Sequence, residues 1–374
     1  MSTTPPRRFA AASLAVAAVG AALSVALALG GDADAAVAAW HAAVVVWSAI
    51  PVGCVLLLLL NHLIGRAVVL PAVLEAGCRT LWLLAVAMLP GLLALDRIYP
   101  WTAADFVPSG PLQSWWLTGP AFLLRTALYF AVWIALSEAM IREDRSVGPR
   151  HKRPGLAAAG LVLHSIIASF AAVDWIMTLT PDHASAAFGI VYAAHQAAAA
   201  LAFGVLADHL VSREREPEAT ARGLLIAGAL AWGYIAFFEY LTVWTGDLPH
   251  LAVWFLERQG GVWPSLRWLA GLLTLAGVAL ALAAPLGRAR RWLPAAAGLL
   301  LAAQIAEAFW LVLPAAKAGP ALSAAFALTV GGLWSALFFR VLARRPEHRP
   351  GRQTLPPGAA PLRHRTRQQP EGTP

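Results

Sequence analysis

Apolar residues recur along this chain in long runs that are separated by short polar stretches. A helix that crosses a bilayer needs about 20 largely apolar residues, and ten runs reach that length. The predicted spans lie near residues 9–30, 36–61, 80–99, 120–141, 155–177, 184–211, 221–244, 263–284, 292–313 and 322–344. Pro71 interrupts residues 62–79, which we expect to lie at the membrane surface as an amphipathic stretch. The pattern therefore predicts an all-α, polytopic integral membrane protein.

The connecting segments alternate in charge, and this alternation predicts the orientation. Basic residues concentrate near the N-terminus, in every second loop and in the C-terminal tail, whereas the other loops carry acids such as Asp247. Basic loops remain on the cytoplasmic side of a membrane, so we expect both ends of the chain in the cytoplasm. We expect one membrane domain over residues 1–344 and a disordered basic tail over residues 345–374. Arg7 and Arg8 before an apolar run also resemble a signal sequence, but the run is longer than a usual signal core.

The composition supports the same class of protein. Of the 374 residues, 59% are hydrophobic and 13% are charged, whereas a soluble domain carries about 25% charged residues. The net charge of +8 comes from short loops and the tail, so we do not expect nucleic acid as a partner. Cys54 and Cys78 lie in the predicted cytoplasmic half and predict no disulfide. No cysteine motif for covalent haem or an iron–sulfur cluster occurs, and no metal site is predicted.

Several ionisable side chains fall inside the predicted spans. Such a side chain costs roughly 2.5–3.5 kcal/mol at the bilayer centre, so each one is a candidate functional residue. Counting at about 1.5 Å per residue, Asp174 and Glu239 share a level in the outer half, and Arg125 and Glu307 lie close to that level. A structural explanation is open as well, because Arg125 would neutralise either acid in a buried pair.

Two histidines lie about halfway across the membrane. His164 belongs to the fifth predicted span and His195 to the sixth, where Tyr192 and Gln196 share a face with His195 or lie next to it. Three hypotheses follow from this set of polar residues. The first is a quinol pocket whose bases accept the hydroxyl protons, and the second is a proton relay across the bilayer. The third is haem ligation by the two imidazoles.

The segments from the fifth to the seventh span resemble a known family. The sequence Asp174–Pro181 (DWIMTLTP) is followed by Ser185 and Phe188–Tyr192 (FGIVY). This order resembles the D-W-x-M-S-L-x-P segment in membrane subunits of alternative complex III. Further similarities lie in Arg79–Trp82, Tyr99–Trp101, Arg125–Phe130, Trp232–Leu241 with Trp244, Leu248–Pro249 and Arg258–Trp263. The resemblance covers roughly residues 75–270 and is greatest to the second, quinone-binding type of membrane subunit.

The resemblance implies an architecture and a set of partners. Both membrane subunits of that family belong to the polysulfide-reductase-like (NrfD-like) superfamily, whose ten helices form two four-helix bundles plus two outer helices. The implied complex lies in the bacterial inner membrane and contains a homologous membrane subunit with periplasmic iron–sulfur and haem-c subunits. It oxidises a quinol, either menaquinol or ubiquinol, and passes electrons to cytochrome c or an oxidase. No covalently bound cofactor is implied for this chain.

From the resemblance and the polar residues together we expect one site. Asp174, Glu239, His164 and His195 are the candidate catalytic residues, with the two acids forming an outer pair. The residues expected to contact the quinone are Arg125, Tyr129, Tyr192, Gln196 and Trp232. Glu239 replaces a common Gln of the family, and Thr178 replaces a Ser. The alternatives are a proton-conducting or scaffolding subunit without quinol chemistry and an ion-coupled secondary transporter.

Overall fold

The computed structural model describes residues 5–64, 70–146, 154–211, 217–283, 289–316 and 319–344. The described part contains thirteen α-helices and short 3-10 turns. The first seven helices are α1 Pro5–Ala28, α2 Ala33–Ile64, α3 Pro71–Cys78, α4 Leu81–Leu92, α5 Pro111–Trp116, α6 Gly119–Ser146 and α7 Pro154–Trp175. The others are α8 Phe188–Val211, α9 Glu218–Thr245, α10 Pro249–Leu256, α11 Trp263–Ala283, α12 Ala289–Ala316 and α13 Pro320–Ala343.

Within these ranges, ten helical segments are long and apolar enough to cross a membrane. They are α1, α2, α6, α7, α8, α9, α11, α12 and α13, with α3 and α4 together forming the third. The prediction of an all-α polytopic membrane protein is therefore confirmed. The tail over residues 345–374 and several of the basic loops lie outside the described residues, so the predictions for them stay predictions.

The third span differs from the prediction in its position. It covers Pro71–Leu92 instead of residues 80–99, and residues 71–78 are not an amphipathic surface stretch. Pro71 sits at the start of α3, where the missing N–H of proline costs nothing, so it begins a helix there. Residues 73–78 are all buried, and the span bends at Thr80, whose hydroxyl accepts a hydrogen bond from the Trp334 indole at 2.8 Å.

The long helices form two groups of four. In the first group, α2 packs against α3, α4, α6 and α7, and α6 also contacts α4 and α7. In the second group, α8 packs against α9 and α12, and α11 closes the group against both of them. Helix α2 joins the groups through its contacts with α8 and α12, whereas α1 and α13 pack together outside them. This is the arrangement of two four-helix bundles plus two outer helices.

Glycines let the helices of different groups approach closely. A Cβ atom added at Gly53 of α2 would lie 2.1 Å from the Gln196 carbonyl oxygen of α8. One added at Gly331 of α13 would lie 2.1 Å from the Trp47 ring of α2. Lipid tails are as apolar as the helices, so association in a membrane relies on close packing of this kind. Gly53 thus sets the distance between the two four-helix bundles.

Indole N–H groups add hydrogen bonds between the helices. Trp40 and Trp47 of α2 donate to the carbonyl oxygens of Ala87 and Ala327 at 2.7 and 2.8 Å. Each bond satisfies a polar atom that would otherwise be buried alone in an apolar medium. These two tryptophans therefore hold α2 against α4 and α13.

Helices α1 and α13 run antiparallel. Phe9 stacks on Phe339 near one end of the pair, and the Ser24 hydroxyl lies 3.4 Å from the Thr329 hydroxyl near the other end. The first and last described helices therefore bring both ends of the described chain to the same side of the bundle. An even number of spans requires this arrangement.

The close approach at Gly53 gives a first prediction. Gly53→Ala forces α2 and α8 apart, because the new methyl group overlaps backbone of α8. We expect a loss of about 1–3 kcal/mol, as for overpacked cores, measured as a lower unfolding temperature in mild detergent. Gly271→Ala is the control, since its Cβ would meet no atom within 4 Å. Equal unfolding temperatures of the two variants would contradict the packing described.

Candidate functional site

The carboxylate of Asp174 is the most completely enclosed acidic group of the outer half. Its side chain is 0% exposed. Arg125 donates from Nε to Oδ2 at 2.8 Å and from Nη2 to Oδ1 at 3.0 Å. The Tyr129 hydroxyl donates to Oδ2 at 2.6 Å, and the Trp116 indole donates to Oδ1 at 2.7 Å. Each carboxylate oxygen therefore accepts two hydrogen bonds, which fills its acceptor capacity.

Two helices bring these donors to the acid, which lies on a third. Asp174 lies at the outer end of α7, and Arg125 and Tyr129 lie four residues apart on α6, so they share one face. Trp116 ends the short helix α5, and its ring lies 4.0 Å from the Arg125 guanidinium carbon. A planar guanidinium that stacks on an aromatic ring and binds a carboxylate with two bonds is held in one orientation.

A second layer of hydrogen bonds continues from Asp174 toward α2. The Trp175 indole donates to Thr126 at 3.2 Å, and the Tyr99 hydroxyl donates to the Trp175 carbonyl at 3.4 Å. The same hydroxyl lies 2.9 Å from Nε2 of His41. Burial, and after it the charge of Asp174, raises the pKa of Tyr99 well above its usual value, so Tyr99 is neutral at physiological pH.

Glu239 lies in a different cluster from Asp174. Its Oε1 accepts a hydrogen bond from the Ser185 hydroxyl at 2.7 Å, between α9 and the segment before α8. The nearby guanidinium of Arg267 on α11 forms an ion pair with Glu307 on α12. Thus Arg125 contacts Asp174 in the first bundle, and Arg267 contacts Glu307 in the second. The expected outer pair of Asp174 and Glu239 is divided between the two bundles.

The two membrane histidines are buried among apolar neighbours. His164 and His195 are each 1% exposed, and no ring nitrogen of either residue forms a hydrogen bond of ordinary geometry with a described residue. The Gln304 side chain lies directly beside His195. His164 lies 6.5 Å from the Trp133 ring of α6, whereas His195 stacks on Tyr192 at 5.4 Å. Buried polar atoms without a partner are rare in native proteins and require an explanation.

A small cavity lies beside His195 where the two bundles meet. Residues of α2, α8 and α12 line it, and the polar members are His195, Gln304 and the Trp47 side chain. The Gln304 Oε1 atom is also buried without a hydrogen-bond partner in the described chain. The cavity measures about 10 Å³, which is at the lower limit for one water molecule.

The remaining expected quinone contacts are not gathered around one space. The Tyr192 hydroxyl donates to the Val45 carbonyl of α2 at 3.3 Å, and Gln196 is buried where α8 meets α2. Trp232 instead packs with Val191 in a small cluster between α8 and α9. Tyr129 and Arg125 belong to the Asp174 cluster. The nine candidate residues are therefore distributed over at least three places.

The hypothesis of haem ligation finds no support in these contacts. His164 faces α6, whereas His195 faces the cavity toward α2 and α12. The two imidazoles share a depth in the sequence but contact different helices.

Sequence analysis missed several polar residues of the site. Arg267 and Gln304 lie inside predicted spans, so the same depth rule that selected Asp174 would have selected them. Arg258 is buried between α10 and α12 and donates to the carbonyl oxygens of Trp254, Trp310 and Leu311 at 2.7, 3.1 and 2.9 Å. Burial lowers the pKa of Arg258 to about 9, so it is charged at neutral pH. Arg258 lies in a predicted loop, where arginines are usually solvated, so nothing in the sequence predicted its burial.

The Asp174 cluster gives a second prediction. Arg125→Met leaves a buried carboxylate without its countercharge, which typically costs about 3–5 kcal/mol. We expect a marked fall of the unfolding temperature, and partial recovery when Asp174→Asn is added to it. Arg142→Met on the same helix is the control, because the Arg142 side chain is 80% exposed. A single variant as stable as this control would contradict the buried pair.

The chain matches no known family model and no curated protein.

Proposed function

We propose that this chain is a proton-conducting membrane subunit of a quinol oxidoreductase of the alternative-complex-III type. The observation that carries the proposal is the pair of buried imidazoles, His164 and His195, whose nitrogens form no hydrogen bond of ordinary geometry within the described chain. The resemblance over residues 75–270 supplies the type of complex. The geometry of the polar residues supports a proton-conducting role within that complex.

Histidine suits this role because its ring carries two nitrogens that can each exchange a proton. An imidazole accepts a proton on one nitrogen and releases one from the other, so it can pass protons along a chain of water and polar groups. A water in the cavity between His195 and Gln304 would give both groups a hydrogen-bond partner. The same water would then satisfy the buried polar atoms of His195 and Gln304 and carry the proton.

Asp174 has a positioning role in this proposal. Both of its oxygens already accept two hydrogen bonds each, so neither is free to accept a proton from a quinol. Asp174 instead orients Arg125 and Tyr129 at the outer end of the first bundle. Glu239, which accepts one hydrogen bond from Ser185, has acceptor capacity left and is the candidate proton acceptor at the outer end of the second bundle.

A quinone headgroup does not fit the cavity beside His195. A space of about 10 Å³ is far below the roughly 300 Å³ of a small-ligand pocket. We therefore derive no step through a quinone bound at His195, and we assign quinol chemistry to the complex as a whole. The proposed partners are a homologous membrane subunit and periplasmic iron–sulfur and haem-c subunits in a bacterial inner membrane.

An ion-coupled transporter is the second candidate, and one observation favours it. The third span is broken between α3 and α4 at the buried Thr80, and transporters use broken helices at their ion sites. Such sites normally pair two interrupted helices in corresponding positions of two repeats. Activity of the chain alone distinguishes the candidates, because a transporter moves its substrate without redox partners.

The test uses the native complex, purified through a tag on this chain and reconstituted in vesicles. His195→Gln is expected to reduce transmembrane proton release, that is, the protons delivered across the membrane per quinol oxidised, by at least tenfold, because glutamine cannot accept a proton and pass it on. The two protons that each quinol loses are then released on the side where it is oxidised. The quinol oxidation rate should stay within about twofold of wild type. Gln304→Leu should likewise lower proton release while sparing quinol oxidation, since it removes the other polar group at the cavity.

Tyr234→Phe is the matched control, because Tyr234 is 67% exposed on the lipid-facing side of α9. Its proton release and quinol oxidation should both equal those of wild type. If His195→Gln loses quinol oxidation, His195 belongs to a catalytic quinol site and the proton-conducting role is wrong. Unchanged proton release, or purification without any redox subunit, would contradict the proposal.

A further inference from the structure

A cavity of about 370 Å³ opens between the start of α1 and the end of α13. Three arginines, Arg7, Arg340 and Arg344, form its polar rim. Its floor is made of small apolar side chains and one leucine, namely Ala10, Ala11, Ala343 and Leu14. It lies far along the sequence and the bundle from the polar clusters of the outer half.

The arginines bring a concentrated positive charge without a counterion from the described chain. Among the described residues, no carboxylate forms an ion pair with Arg7, Arg340 or Arg344. The sequence beyond Arg344 does not supply one readily, because residues 345–374 contain six arginines and only two glutamates. Three guanidiniums that converge on one opening favour an anion from outside the chain. Guanidinium groups match the geometry of phosphate especially well.

The position of the cavity indicates where that phosphate comes from. Helix α1 keeps large apolar side chains such as Leu14 exposed on its outer surface, as expected for a helix that contacts lipid. The basic ends of the chain are predicted to lie on the cytoplasmic side, where anionic lipids give the leaflet its negative surface potential. The charged rim and the apolar floor therefore match the two ends of a phospholipid.

We propose that this cavity binds an anionic phospholipid. The headgroup phosphate lies between Arg7, Arg340 and Arg344, and an acyl chain follows Ala11 and Leu14 along α1. The bound lipid bridges the first and last helices and offsets part of the positive charge of their arginines. This site is independent of the proton path and of the proposed function.

The test measures lipid binding to the purified full-length chain by native mass spectrometry. Phosphatidylglycerol is titrated against phosphatidylcholine, whose headgroup carries a choline beside the phosphate. We expect preferential retention of phosphatidylglycerol, and about fivefold weaker binding for each arginine changed to glutamine. The variant Arg7→Gln/Arg340→Gln/Arg344→Gln should therefore lose the preference. Arg142→Gln, an exposed arginine at the same predicted side of the membrane, should keep it.

A second variant tests the apolar floor without changing the charge. Ala11→Trp fills the cavity and should weaken phosphatidylglycerol binding while leaving the unfolding temperature of the lipid-free chain unchanged. Retained binding in the triple variant, or an equal loss in Arg142→Gln, would overturn the proposal. Displacement of the lipid by millimolar inorganic phosphate would show that the site takes free phosphate, and this result would overturn the assignment to a lipid.

Discussion

Asp174 lies fully buried in a bundle that is built to cross a membrane, and its environment shows how a charge is accommodated there. An ionised carboxylate in an apolar medium is costly unless a countercharge and hydrogen bonds surround it. Arg125, Tyr129 and Trp116 provide them from two neighbouring helices. The approach of α5, α6 and α7 at the outer end of the first bundle therefore depends on this one acid.

The second bundle also provides its acids with hydrogen-bond donors, but from other residues. Arg267 binds Glu307 between α11 and α12, and Glu239 accepts the Ser185 hydroxyl next to them. Each bundle thus carries its own acidic cluster in the outer half, whereas His195 and Gln304 lie where the bundles meet. Both oxygens of Asp174 are fully hydrogen-bonded and serve the structure, whereas His195 and Gln304 keep atoms that remain available for chemistry. His195, and not Asp174, is therefore the candidate for proton transfer.

The sequence predicted the span count because each helix must be about 20 apolar residues long, a rule that needs no tertiary information. It misplaced the third span, because Pro71 is as typical of a helix start as of a break, and only packing decides between the two. It identified Asp174 and Arg125 as charges at one depth. Depth along the membrane does not determine which helix faces contact each other. Glu239 was therefore expected beside Asp174, whereas its neighbours in the structure are Ser185 and Arg267.

The central claim is that His195 and Gln304 share a water through which protons pass. The most direct measurement is a cryo-electron microscopy map of the native complex at a resolution that shows ordered water. The account predicts density for one water within about 3.2 Å of both the His195 ring and the Gln304 side chain. A dry cavity, with the His195 nitrogens bonded to protein groups instead, would contradict it.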